Sequence, residues 1–134
     1  MNVFSNKTKE RFKHLHYEVS IWTAVFIATC PIDCYLNEGL RSTEDQQKYF
    51  KQGNSKLDGI KKRGKHQDDL STPEIDARAV DIYYVGWKPS DKDKDSRWET
   101  LYKHALEVDR LTGIKMIHGY TWNFYDPAHH ELMA

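Results

Sequence analysis

The chain has 134 residues, a length that fits one domain and leaves little room for a second. Hydrophobic residues make up 39% and aromatics 13%, enough apolar material for a packed core, which excludes a disordered tail. Twenty basic and twenty acidic side chains cancel, so bulk charge draws the chain neither to nucleic acid nor to anionic membrane, and any partner must be recognised by a site.

Near the N-terminus Phe12, Leu15, Val19, Trp22 and Phe26 recur in steps of three and four, one stripe of an amphipathic helix. The apolar run Ile21 to Cys30 has the length of a signal-peptide core, but Glu10 and Glu18 stand where a positive leader would lie. It is also far shorter than the roughly 20 residues of a membrane span. The expectation is a chain made in the cytoplasm, without stable membrane insertion. Cys30 and Cys34 are the two cysteines; without a second pair they read as buried apolar side chains in a reducing compartment.

Pro31 breaks the helix, and Ile32 to Arg41 alternates loosely like a strand. Ser42 and Asp45 start a second helix, with Tyr49 and Phe50 as its apolar side and Gly53 as its stop. Residues 54 to 77 are polar and broken by Gly59, Gly64 and Pro73, a loop long enough to suggest function. Ala79 to Val85, rich in Val, Ile and Tyr, is a strand. A charged linker with Pro89 follows, from Gly86 to Asp95. Ser96 and Glu99 then box the start of a helix whose Trp98, Leu101, Ala105 and Val108 share a face, closed by Gly113. Ile114 to Leu132 reads as short strands and turns. Helices and strands in mixed order, without a β-α-β rhythm, predict one α+β domain over residues 1–134, with a small sheet packed by helices.

Seven histidines are spread along the chain. His14, His16, His104 and His118 read as surface or hydrogen-bonded side chains, the first two on a helix and pointing apart. His66, Asp81 and the pair His129 and His130 differ, because they lie in loops or strand ends among carboxylates and glycines. A catalytic zinc takes three nitrogen or oxygen ligands and leaves a fourth position for water. Two histidines and one aspartate would meet that need. Tyr120, Trp122, Phe124 and Tyr125 precede Asp126; alternation would bury about half of them and leave the others to line a groove.

Four blocks carry a resemblance. Asn37-Glu38-Gly39-Leu40-Arg41-Ser42 with Gln46, Ser55-Lys56 with Gly64-Lys65-His66-Gln67, Ala79-Val80-Asp81-Ile82, and Asp126-Pro127-Ala128-His129-His130-Glu131-Leu132 stand in one order along nearly the whole chain. Together they resemble the zinc D,D- and L,D-peptidases of bacterial cell wall, especially the bacteriophage L-alanyl-D-glutamate endopeptidase endolysins. The resemblance implies a Hedgehog/D,D-peptidase-like fold with a mainly antiparallel sheet. It implies Zn2+ held by His66, Asp81 and His129, Asp126 as general base toward metal-activated water, and Arg41 steadying charge on the substrate carbonyl or a nearby carboxylate. Neighbours on a strand face opposite ways, so one of His129 and His130 reaches the metal. The spacing from Asp126 in the resembled motif selects His129, and His130 takes a position usually held by Phe. Glu131 shares the His129 face, as a second candidate base or as a hydrogen-bond partner of a ligand.

The implied substrate is bacterial peptidoglycan, cut by a monomer that needs no nucleic acid and reaches the wall after release from the host cytoplasm. A D-alanyl-D-alanine carboxypeptidase or dipeptidase of the same clan is the enzymatic alternative, and a zinc-stabilised wall-binding or virion protein the non-catalytic one. The resembled pattern H-x-x-G-x-A-x-D separates its histidine and aspartate by seven positions, whereas His66 and Asp81 differ by fifteen, and Ala77 replaces the usual Gly. An eight-residue insertion within Asp68 to Asp76 accounts for this. Each doubling of a loop costs only about 0.6 kcal/mol in closure entropy. The acids of the insertion read as a solvated loop, with a second hard cation as the alternative.

Overall fold

The computed structural model of the chain describes residues 4–60, 62–67, 76–88 and 96–133. Its elements run α1 (Asn6–Arg11), α2 (Tyr17–Thr29), β1 (Cys34–Glu38), α3 (Thr43–Lys51), β2 (Ala79–Tyr84), α4 (Ser96–Thr112), β3 (Met116–His118), a single 3-10 turn (Gly119–Thr121) and β4 (His129–Leu132). The strands form a four-stranded sheet in the order β1-β2-β4-β3, every neighbouring pair antiparallel. This is the α+β arrangement that the mixed order of elements predicts.

The predicted first helix is two helices. His14 takes a left-handed backbone conformation, φ 61°, and the chain turns so that Leu15 bridges Ala77. The bonds His16 N–H to Ala77 O, 2.8 Å, and Ala77 N–H to His14 O, 2.7 Å, hold that bridge. His14 and His16 are therefore not helical: the first sits in the turn, and the Nδ1 of the second caps α2 by accepting from Glu18 N–H at 3.2 Å. The apolar stripe survives the break because Leu15 stays inward, buried with Val19, Trp22 and Phe26.

Alternation along the strands sorts side chains onto two faces. Leu36, Val80, Ile82 and Tyr84 face α2 and α4 and are almost fully buried. Against them α4 sets Trp98, Leu101, Ala105 and Val108, the face its spacing predicts. Burying each large side chain contributes about 1.5–3 kcal/mol, so this layer fixes the sheet. Trp22 joins it and donates its Nε1–H to Asp109 at 2.8 Å, which satisfies the one polar atom of the indole. Cys30 and Cys34 are buried in the same cluster and are not joined by a disulfide.

The edge strand β1 is covered by α1, whose buried Thr8 accepts from Leu36 N–H at 3.3 Å and whose Arg11 donates to Leu36 O at 3.2 Å. That leaves fewer open backbone groups for unwanted pairing. The strand is shorter than the predicted Ile32 to Arg41 and carries a bulge: Leu36 pairs with Ile82, yet Glu38 pairs with Asp81. The extra residue swings Glu38 beside Asp81 on the open face.

Ser42 caps α3 as predicted, its Oγ accepting from Asp45 N–H at 3.1 Å. The inner face of α3 differs from the expectation. Phe50 is exposed, and Gln46 is the residue of α3 that is fully buried. The insertion within Asp68 to Asp76 and the linker between Gly86 and Asp95 lie largely outside the described residues; Ser96, expected to box the start of α4 with Glu99, is the first residue of that helix. No described helix is long and apolar enough to cross a membrane.

Candidate functional site

On the open face of the sheet, β2 and β4 place Asp81 directly opposite His129. His66 arrives from the loop after α3. Its segment is stitched between strand ends by Arg41 N–H to His66 O, 2.7 Å, and Arg78 N–H to Lys65 O, 2.8 Å. The three side chains converge although fifteen positions separate His66 from Asp81: His66 Nε2 lies 3.2 Å from Asp81 Oδ1 and 3.2 Å from His129 Nδ1, and His129 Nδ1 lies 3.4 Å from Asp81 Oδ1. Among the described residues they form the group that could hold a metal ion.

Hydrogen bonds behind the two rings decide what faces the centre. His66 Nδ1 is 2.8 Å from Gly39 O. A carbonyl only accepts, so Nδ1 carries the proton and Nε2 presents a lone pair. His129 Nε2 is 2.9 Å from Glu131 Oε1; that carboxylate accepts the Nε2–H, which leaves the lone pair of the neutral ring on Nδ1. Two lone pairs and a carboxylate oxygen facing one another at these distances repel unless a cation sits between them. Ligands about 2.0–2.1 Å from a tetrahedral zinc stand roughly 3.3 Å apart, and the three edges of 3.2, 3.2 and 3.4 Å match this. The donor set fits a metal ion.

Charge follows the same geometry. Burial works against ionising His129, yet its hydrogen bonds to Asp81 and Glu131 raise it to about 10: without metal, a proton takes the cation's place. Burial likewise opposes charge on Asp81, but His66 and His129 hold its carboxyl well below the usual range. Glu131 is lowered against its burial by the bond to His129.

Around this centre lie the other predicted residues. Asp126 Oδ2 is 4.0 Å from His129 Nδ1, on a side chain that is 40% exposed to the groove. Burial first, then the negative charge of Asp81, push its carboxyl up to about 6. Arg41 sits 3.7 Å from Asp81 Oδ2. Its guanidinium pairs with Glu38 through Nε at 2.6 Å and through a second, shorter contact, and donates to Gln46 Oε1 at 2.8 Å.

His130 points the other way. It pairs across the sheet with Val80 and His118, is 1% exposed, packs on Trp22 and Phe26, and lies 2.9 Å from His118 Nδ1, whose Nε2 bonds Asp109 at 2.8 Å. Burial drives its basicity well below that of an ordinary histidine. Two further residues, both within the resembled blocks but given no role there, position the site. Gln46 donates to Ser55 Oγ at 2.9 Å and Leu57 O at 2.7 Å, and Gln67 donates to Thr43 Oγ1 at 3.2 Å and Gly59 O at 3.1 Å. Together they fold the loop that carries His66.

The cluster opens into a groove of about 810 Å³, lined among others by Tyr49, Tyr83, Trp122 and Phe124. Trp122 lies against the His129 ring at 5.0 Å. Tyr120 instead stacks on Tyr102 at 4.6 Å, so the aromatic run divides between groove and packing, but not by alternation: Tyr120, Trp122 and Phe124 share a parity, and the 3-10 turn over Gly119–Thr121 is what parts them.

Two imidazoles and a carboxylate, backed by hydrogen bonds and open on one side to a groove with a partly buried acid, make a group that could hold a metal ion and leave a position open beside it. Residues 1–133 match the family model of the phage L-alanyl-D-glutamate peptidases, and the chain belongs to that family. It is a peptidase. The fold is similar to that of the L-Ala D-Glu endopeptidase ChiX of Serratia marcescens in its crystal structure, with a TM-score of 0.75 and 18% identity over 99% of this chain and 90% of that one. No curated protein sequence matches the chain.

Proposed function

We propose that residues 1–134 form one catalytic domain that hydrolyses the L-alanyl-D-glutamate bond of the peptidoglycan stem, with zinc on His66, Asp81 and His129. The observation that carries this reading is the convergence of two fixed lone pairs and a carboxylate at tetrahedral spacing, 4.0 Å from a partly buried acid. A His, Asp and His set suits zinc. Zinc held there would polarise the scissile carbonyl and lower the pKa of water to about 7.

The rest of the work falls to the chain's own groups. Asp126, with its carboxyl near 6, is ionised at neutral pH and basic enough to take the proton of the attacking water, then deliver it to the departing amine nitrogen. Glu131, engaged with His129 Nε2, orients that ring and is not the base. Arg41 holds Asp81 and Glu38 in place. Trp122, lying on the His129 ring, shields one flank of the centre from water.

The enzyme is read as a monomer made in the host cytoplasm that acts on the wall after release. Against a non-catalytic zinc module stands Asp126, since a structural site closes its fourth position and has no use for a base. The test is Asp126→Asn, assayed for zinc content and for release of new amino termini from peptidoglycan, with products identified by mass spectrometry. The variant is expected to keep its zinc and lose on the order of 10²–10⁴ in rate. Full hydrolysis by Asp126→Asn, or products cut at a different bond, would overturn the reading.

A further inference from the structure

Away from the metal-ligand cluster the groove runs between two walls, the loop after α3 with Ser55, Lys56 and Leu57, and the segment with Trp122 and Phe124. The walls meet where Lys56 Nζ lies over the Phe124 ring, 5.4 Å from its centroid. Four cationic side chains line this groove, and three have their charge engaged. Arg41 is held by Glu38. Arg63 donates to Thr43 Oγ1 at 3.2 Å and Gly59 O at 3.3 Å. Lys65 donates to Leu132 O at 3.2 Å. Among the described residues, no carboxylate or carbonyl takes the ammonium of Lys56.

Its backbone, by contrast, is held firmly. The fully buried Gln46 grips the loop on both sides of Lys56, through Ser55 Oγ at 2.9 Å and Leu57 O at 2.7 Å. A lysine anchored at its base, with its head over an aromatic face and no anion beside it, is arranged to receive an anion entering the groove. The carboxylates that line the groove, Glu38, Asp81, Asp126 and Glu131, gather around Arg41 and His129 and would repel one.

We propose that Lys56 binds the free carboxylate of the D-glutamate residue on the departing side of the scissile bond, and so makes the enzyme selective for an acidic residue there. The inference rests on the L-alanyl-D-glutamate reading above. Glutamate has two carboxyl groups and continues the chain through one of them. The other remains free as an anion, or is capped as a neutral amide. Lys56 distinguishes those two forms, because an ammonium gains a charge-assisted hydrogen bond only from the anion.

The test compares two synthetic stem peptides that differ only in that group, carboxylate or carboxamide, as substrates of the zinc-loaded full chain. Wild type, Lys56→Met and Lys56→Arg are measured. Methionine keeps the apolar stem against Phe124 and removes the charge. Wild type is expected to favour the carboxylate peptide by roughly tenfold in kcat/KM, about the 1.4 kcal/mol that corresponds to one decade. Lys56→Met should lower the carboxylate peptide to the level of the amide, mainly through KM, with the amide peptide unchanged, and Lys56→Arg should restore the preference. Equal losses on both peptides, or a wild type that does not discriminate, would overturn the assignment of Lys56 alone. Cleavage of neither peptide by zinc-loaded wild type would overturn it together with the proposed bond specificity.

Discussion

Gly119 is where a single methyl group reaches the chemistry. It has no side chain, and the turn it begins folds so tightly that Asp126 N–H bonds Gly119 O at 3.1 Å. A Cβ at this position would collide with the carbonyl oxygen of Asp126 and stand 3.1 Å from its carbonyl carbon. The obstacle is backbone, not the end of a flexible side chain. Restoring ordinary contact, about 3.5 Å between heavy atoms, moves Asp126 by on the order of 1 Å. The same carbonyl accepts from His129 N–H at 3.1 Å, so the strain is passed to the start of β4. Overpacking of this kind costs about 1–3 kcal/mol, and a misplacement of about 1 Å in a catalytic group costs about 10²-fold. Gly119→Ala is therefore expected to unfold a few degrees lower by calorimetry and to hydrolyse peptidoglycan about a hundredfold more slowly. A folded, zinc-loaded Gly119→Ala that cuts at the wild-type rate would refute the role given to Asp126.

Two further outcomes follow from the groups behind the metal ligands. With His129 raised to about 10 in the metal-free protein, zinc binding at pH 7 should displace about one proton, measured by titration calorimetry in buffers of different ionisation heat. For this group affinity should climb by about one decade per pH unit until the pH nears 10. The sign for metal-free stability is the reverse: the protonated His129 stabilises fully below its ordinary value near 6.5 and that contribution is lost as pH rises through 10. Proton-independent zinc binding would contradict the geometry. Glu131→Gln keeps an acceptor for His129 Nε2–H but removes the charge, and should weaken zinc binding about 10–100-fold while the slow remaining hydrolysis keeps its pH profile. A lost acidic limb in that variant would make Glu131 the base instead of Asp126.

Much of this was legible where local chemistry decides structure. The Ala79 to Val85 strand, the Ser42 cap and the buried face of α4 follow from side chains acting on their near neighbours; strand alternation sets His129 and His130 on opposite faces, while the choice of His129 rests on the resembled motif's spacing from Asp126. The break in the first helix was not legible, because it is made by a backbone bridge to Ala77, far along the chain, while Leu15 keeps the apolar stripe intact. The face of α3 departs from its apolar pattern for a related reason: Gln46 is buried by what it bonds, Arg41, Ser55 and Leu57, and a polar residue serving as a hub has no periodicity to betray it. The tautomer of His66 rests on a main-chain carbonyl, Gly39 O, which no residue type announces. The bulge that sets Glu38 beside Asp81 appears only when two strands are paired.

Zinc content and peptidoglycan cleavage, measured on the same preparations of wild type, His129→Ala and His130→Ala, test the centre most directly. The geometry predicts that wild type and His130→Ala each carry one zinc and release new amino termini, while His129→Ala does neither. Loss of zinc from the His130 variant alone, with His129→Ala still loaded and active, would contradict it.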